Sequence, residues 1–201
     1  MKRMLTTSGA LQHRERGVQM SLRVVVSTNR IFLRQFSDGD AENLFELDGD
    51  PEVMRYVVNQ QGTLGDYHER IRQYRNQYEE EGGHFGFWAA IEKSSHEFIG
   101  WFHLRKTLIE GQAELGYRLK QSKWGKGYAS EMAIALVGWA FEEMTVQSVV
   151  ASALVDNLRS IRVMQKSGMQ WVQNYFYQAP DGTRYPAVKY GIQRESFKKD
   201  T

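Results

Sequence analysis

The chain has no cysteine, which excludes a disulfide framework and any thiolate metal site. That composition fits a reducing compartment, and the cytoplasm is the expected location. Long apolar runs are missing too. Stretches such as Met132 to Val137 fall far short of the roughly 20 residues that span a bilayer, so no membrane segment is expected. Neither sign of charge dominates: 26 basic against 24 acidic residues leave a formal net charge of +2, too balanced for a nucleic-acid surface. The five histidines, His13, His68, His84, His96 and His103, lack metal-ligand spacing, and no metal is expected. What remains is ordinary globular composition, with 41% hydrophobic residues, 25% charged residues and only three prolines.

A length of 201 residues suits one domain with a short extension. Residues 1–26 differ from the rest. Lys2, Arg3, Arg14, Arg16 and Arg23 face the single acid Glu15, without a clean apolar period. This stretch reads as a disordered N-terminal extension, upstream of a second start at Met20, with an Arg-rich, acid-poor transit peptide as the other reading. The folded domain is expected over residues 27–197.

Regular patterning begins at Arg30. Ile31 and Leu33 alternate with Arg30 and Arg34 as a strand requires. Ala41, Leu44, Phe45 and Leu47 then recur at helical spacing behind Asp38, where an acid suits the helix dipole. Asp50-Pro51 opens a short helical turn, and Ile71, Tyr74 and Tyr78 mark a longer helix that stops at Gly82-Gly83. Three β-rich runs follow, Phe85 to Ile91, Phe98 to Leu104 and Ala113 to Leu119, with polar turns between them that suggest an antiparallel meander. A helix carrying Met132, Leu136, Trp139 and Ala140 on its buried face comes next, then a strand over Val146 to Ala153 and a helix around Ile161 to Gln165. Met169 to Tyr177 and Ala187 to Ile192 flank the turn Pro180-Asp181-Gly182. The order β-α-α-β-β-β-α-β-α-β-β is mixed α/β with about seven strands.

Between the third meander strand and the next helix lies Gly125-Lys126-Gly127. Glycines at such a turn permit positive φ and close approach of an oxyanion, while main-chain N–H groups and the helix dipole favour a phosphate. The alternative is a plain strand-to-helix turn. The loop lacks the third glycine of the dinucleotide fingerprint and the Lys-Ser/Thr ending of a P-loop.

The run Trp124-Gly125-Lys126-Gly127-Tyr128-Ala129 resembles the pyrophosphate loop Gln/Arg-x-x-Gly-x-Gly/Ala of the GNAT superfamily of N-acetyltransferases, with Trp124 where the superfamily usually has Gln or Arg. Ala113-Glu114-Leu115-Gly116-Tyr117, the extension of the loop through Ser130-Glu131, Asn157-Leu158-Arg159-Ser160, Lys166-Ser167-Gly168-Met169 and the opening Thr28 to Arg34 are similar to the branch that contains ribosomal-protein N-terminal acetyltransferases. The resemblance runs from about Thr28 to Ile192. It implies a mainly antiparallel, twisted sheet flanked by helices, acetyl-CoA as cosubstrate, and transfer of its acetyl group to a primary amine in a ternary complex. Many relatives pair as homodimers.

Such a transfer needs a neutral amine, a stabilised oxyanion and a proton for the departing thiolate. The resemblance implies Glu114 as base, though a solvated strand acid or a counter-charge for the amine fits the residue equally. It further implies that the Leu119 main-chain N–H faces the thioester carbonyl, a donor whose loss elsewhere costs about 2.7–4 kcal/mol. Trp124, Gly125, Lys126, Gly127, Tyr128, Ala129 and Ser130 would cradle the diphosphate. Asn157 would bond the pantetheine arm or cap the last helix. Ser160 would serve the coenzyme sulfur, or be an ordinary first-turn serine, with Tyr175, Tyr177 and Tyr190 as alternatives. Acceptor walls are expected from Met54, Tyr56 and Val57 and from the Tyr175 to Pro186 hairpin. The acceptor itself stays open between a protein N-terminus and a small-molecule amine. Two rival classes are a non-catalytic CoA or acyl-CoA-binding regulator with the same fold, and a nucleotide-binding module using Gly125 and Gly127.

Overall fold

The computed structural model describes residues 23–58 and 61–197. In chain order it contains β1 (Val24–Ser27), β2 (Ile31–Arg34), α1 (Ala41–Gly49), α2 (Pro51–Met54), α3 (Leu64–Glu80), β3 (Gly86–Glu92), β4 (Phe98–Lys106) and β5 (Gln112–Leu119). These are followed by α4 (Tyr128–Glu143), β6 (Ser148–Leu154), α5 (Leu158–Lys166), β7 (Gln170–Gln178) and β8 (Arg184–Gln193). The strands form one eight-stranded sheet in the order β1-β2-β3-β4-β5-β6-β8-β7. Every neighbouring pair is antiparallel except β5 and β6. This is the mixed, mainly antiparallel sheet expected from the sequence, with one strand more than the seven anticipated.

The extra strand is β1, whose residues Val24 to Val26 fall within the stretch read as a leader. Val26 alone of its four residues is buried, so an edge strand with one inward side chain carries too little apolar period to stand out. Residues 1–22 of the expected extension lie outside the described residues.

Two hydrophobic layers hold the sheet. In β3 the alternation Trp88 and Ala90 against Ala89 and Ile91 sends successive side chains to opposite layers, the period-2 geometry of a strand buried on both faces. One layer joins Trp88, Phe102 and Leu104 to Met132, Leu136 and Val137 of α4 and Met164 of α5. The other joins Ala89, Ile91 and Phe98 to Leu44 and Leu47 of α1 and Tyr67 and Ile71 of α3. Trp139, expected on the inner face of α4, is half-buried and packs edge-on to Trp88 with centroids 5.8 Å apart. Helix α3 opens on a capping box in which the Thr63 N–H donates to Asp66 Oδ2 at 2.7 Å and the Asp66 N–H to Thr63 Oγ1 at 3.3 Å, an arrangement worth about 1 kcal/mol. Among the described residues no helix is long and apolar enough to cross a membrane.

Candidate active site

The two parallel strands are neighbours for only part of their length. Gln112, Ala113 and Glu114 of β5 pair with Ser148, Val149 and Val150 of β6. Beyond that point β5 continues beside β4 as far as Leu119, while β6 continues beside β8 as far as Leu154. The strands therefore part, and the gap is a cavity of about 200 Å³. Leu115, Gly116 and Tyr117 line it from β5 and Ala151 to Leu154 from β6, with Asn157, Ser160, Val163 and Met164 on one side and Tyr56, Val57 and Trp101 on the other. Among the described residues, none of the lining side chains is an Asp, Glu, Lys, Arg or His.

Main-chain groups of β5 are left facing this gap. The Lys120 N–H donates to the Ile99 carbonyl on β4 at 2.9 Å. Because successive N–H groups of a strand point to opposite sides, the Leu119 N–H faces away from β4, toward the parting strands. The Leu119 carbonyl faces the same way and accepts the indole N–H of Trp124 at 2.9 Å. The Leu119 N–H is thus turned to the side where the strands part, and the Trp124 indole lies against the Leu119 carbonyl.

The glycine turn is built to expose N–H groups. Gly127 is the N-cap of α4, with φ +84°, and no side chain caps the helix. The first intrahelical bond runs from the Glu131 N–H to the Gly127 carbonyl at 3.0 Å, so the N–H groups of Tyr128, Ala129 and Ser130 precede the ladder. Gly125, with φ +74°, has open space where a Cβ would stand. Positive φ at both positions is what glycine tolerates and other residues resist. An anion at this turn would meet several donors and the positive end of a helix of 16 residues. The residues present therefore fit a diphosphate.

Side chains brace the turn from beneath. Glu92 at the end of β3 accepts from Lys123 Nζ at 2.8 Å, from Ser95 Oγ at 2.6 Å and from the Tyr128 hydroxyl. One carboxylate thus holds the residue just before the loop and the residue just after it. These bonds keep the Glu92 carboxyl near 2, far below its ordinary value. Arg30 supplies a second brace: its Nη1 donates to the Lys126 carbonyl at 2.9 Å, its Nε to Glu131 Oε2 at 2.6 Å, and its guanidinium lies 4.6 Å over the Tyr128 ring. Tyr128 therefore faces the loop with its main chain alone. Sequence reasoning missed Glu92 and Arg30, which are remote from the loop in the chain.

Asn157 is the N-cap of α5, its side-chain oxygen accepting the Ser160 N–H at 3.1 Å. Asn157 also lines the cavity, and its amide nitrogen carries two further donors. Ser160 lines the cavity together with Tyr117. Burial pushes the Tyr117 hydroxyl up to about 12, against a weaker opposing effect from its hydrogen bond with Ser160, so Tyr117 keeps its proton at neutral pH. Tyr117 stands inside the Ala113 to Tyr117 motif, but its hydroxyl was legible only once β5 and α5 were side by side.

Glu114 is held apart from this group. It sits at the last paired position, opposite Val150 on one side and Arg105 on the other, and its Oε2 accepts from Arg105 Nη2 at 2.6 Å. Its side chain is on the α1–α3 face of the sheet but does not line the cavity. Of the tyrosines considered as alternatives to Ser160, none is in the lining: Tyr175 packs under Lys189, and the Tyr190 hydroxyl accepts from Gln165 Nε2 at 3.4 Å. Tyr56 and Val57 line the cavity as expected, whereas Met54 and the Tyr175 to Pro186 hairpin do not. Trp101 and Gly116 complete that wall instead. Gly116 has no room for a side chain, because a Cβ would come within 2.5 Å of the buried His103 ring.

A parallel strand pair that parts beside a glycine-capped helix defines a class of acyl-CoA-using transferases. The chain belongs to the GNAT acetyltransferases: the family described as "Acetyltransferase (GNAT) domain" matches residues 30–170, and the protein is an acetyl-CoA-dependent N-acetyltransferase. It is 29% identical to the FsC-acetyl coenzyme A-N(2)-transacetylase of Aspergillus fumigatus, over 85% of this chain and 76% of that one. It is 34% identical to the uncharacterized protein YkkB of Bacillus subtilis, over 76% and 88%. A GNAT-family acetyltransferase from Bacillus anthracis superposes with TM-score 0.73 at 25% identity, covering 85% of this chain and 98% of that one. The ribosomal L7/L12 alpha-N-protein acetyltransferase RimL, solved with coenzyme A, shares the fold with TM-score 0.74 at 15% identity, over 87% and 100%.

Proposed function

We propose that the protein transfers the acetyl group of acetyl-CoA to a primary amine by direct attack, with donor and acceptor held together in the gap between β5 and β6. The observation that carries this reading is the gap itself, which is lined by Tyr117, Ser160 and Ala133 of α4 and opens where β5 runs on to Leu119 without β6 beside it. The N–H groups from Gly125 to Ser130 hold the diphosphate, and the Asn157 amide guides the pantetheine arm along β6. The amine nitrogen forms a bond to the thioester carbonyl carbon, and Leu119 donates to the oxygen that gains charge. As the carbon–sulfur bond breaks, Ser160, backed by the protonated Tyr117, delivers a proton to sulfur. The amine gives up its proton to water, with Glu114 as the carboxylate that receives it when its pair with Arg105 opens.

A lining without carboxylates supports an acceptor that enters as the neutral amine, since an ammonium group would be stripped of water with no counter-charge. An α-amine, with a pKa of about 7.7–8.0, is neutral far more often near pH 7.5 than a lysine-type amine of about 10.4. A protein N-terminus or a small-molecule α-amine is therefore the acceptor we favour, and the names of the fungal transacetylase and of RimL agree with an amine acceptor. The cysteine-free composition suits the cytoplasm, where we place the reaction.

The test is an acceptor screen. Acetyl-CoA is offered with N-terminal peptides, amino-acid derivatives and polyamines, and free thiol is followed. Thiol release that depends on an α-amine supports the reading. Coenzyme-A binding with no transfer to any acceptor would support a regulator that kept the fold and lost turnover.

A further inference from the structure

We propose that Trp124 is a positioning residue for acetyl transfer, acting through the Leu119 carbonyl on the main-chain donor next to it; this rests on the acetyl-transfer reading above. Leu119 ends β5 at the place where β6 has already parted from it. Its carbonyl points into the gap, away from β4, and the Trp124 indole N–H meets it at 2.9 Å. The peptide joining Leu119 to Lys120 is then held at both ends, by Trp124 on the carbonyl and by the Ile99 carbonyl on the N–H at 2.9 Å. The preceding peptide carries the Leu119 N–H that faces the cavity. Its carbonyl end lies close against Gly100, where any Cβ would stand 2.0 Å from the Arg118 oxygen.

The indole is itself well fixed. It packs against both hydrophobic layers, and the Arg159 guanidinium of α5 lies 4.9 Å over its ring. Trp124 also opens the glycine turn. A single side chain therefore ties the loop that seats the diphosphate to the strand end that presents the oxyanion donor. Without the indole N–H, the Leu119–Lys120 peptide is free to tilt about the Leu119 dihedrals, and the donor beside it tilts as well.

Trp124→Phe removes the N–H and keeps an aromatic ring in the same packing. In the protein without ligand, amide exchange followed by NMR should accelerate at least tenfold at Lys120 and stay unchanged at Leu136 in α4. Coenzyme-A affinity by calorimetry should stay within twofold. With the best acceptor of the screen, kcat should fall about tenfold while KM for acetyl-CoA does not move. An unchanged kcat and Lys120 exchange rate would overturn the proposal, as would coenzyme-A affinity falling in step with kcat, which would mean a damaged loop. If Trp124→Phe folds poorly by thermal melting, 3-benzothienylalanine placed at position 124, with sulfur for N–H in the same shape, carries the same expectations. A parent protein inactive toward every acceptor defeats the acetyl-transfer reading, and the exchange arm then still decides whether the clamp exists.

Discussion

The two halves of the candidate site are built in different ways. The side proposed for the cosubstrate is one contiguous run of main-chain donors, Gly125 to Ser130, braced by Glu92 and Arg30 through Lys123, Lys126 and Tyr128. The side proposed for the acceptor is assembled from Tyr56 and Val57 after α2, Trp101 on β4 and Gly116 on β5. A diphosphate is the same whatever the acceptor, so main-chain donors at a helix start suffice to hold it. An amine is distinguished by what surrounds it, and side chains from separate elements are needed to do that. Damage on the first side should therefore appear in coenzyme affinity, and damage on the second in acceptor KM.

The sharpest break is expected from Gly127→Glu, which forces a side chain into positive φ at the helix start and sets a carboxylate beside Arg30, one of the braces of the loop. Coenzyme-A affinity by calorimetry should fall more than about 100-fold, or ~2.7 kcal/mol; undiminished binding would refute the cradle. Next in size is Tyr117→Phe. Removing a proton donor from the cavity should cut kcat about 30-fold with coenzyme affinity retained, and Ser160→Ala should cost about tenfold. Since Tyr117 is pushed up to about 12, it stays protonated across the working range. The alkaline rise of the rate should then follow the acceptor amine, with no decline up to about pH 10.

Trp101→Ala tests the opposite side. It should raise the acceptor KM about fivefold and leave KM for acetyl-CoA alone, because one aromatic wall is lost while the loop is untouched. Glu114→Gln is expected to change the rate less than about threefold at pH 8. A loss of 100-fold would instead make Glu114 the main base despite its pair with Arg105.

The smallest effect concerns the brace. The Glu92 carboxyl is held near 2 in the folded protein against an ordinary value of 4.5. Its contribution to stability is thus complete above about pH 4.5 and is lost as the pH falls toward 2. Melting temperatures of the parent and of Glu92→Gln should differ most near neutral pH and converge on acidification. A gap that stays constant to pH 2 would separate Glu92 from the acid response.

Much of this architecture was legible in residue order. Ile31 to Arg34, the meander strands, the glycine turn and the Asn157 to Ser160 helix start all stand within a residue or two of their expected places, since each is marked by a local period or a turn residue. β1 was not, because a single inward valine leaves no period to detect. The glycine turn of the candidate site was legible for the same reason. Glu114 shows the limit: its place on β5 was clear, but its bond to Arg105 depends on the β4–β5 register. Tyr117 shows the converse, a residue inside a recognised motif whose hydroxyl acquires a partner only when α5 packs beside β5.

By itself, then, the chain determined the succession of strands and helices and the loop that can hold a diphosphate, because those follow from spacing among near neighbours. Where β5 and β6 stop pairing, and so which side chains share the gap, was decided by the tertiary structure. Pairing between strands separated by a whole helix is set by how both layers of the core pack against the sheet, and no short stretch of sequence carries that information.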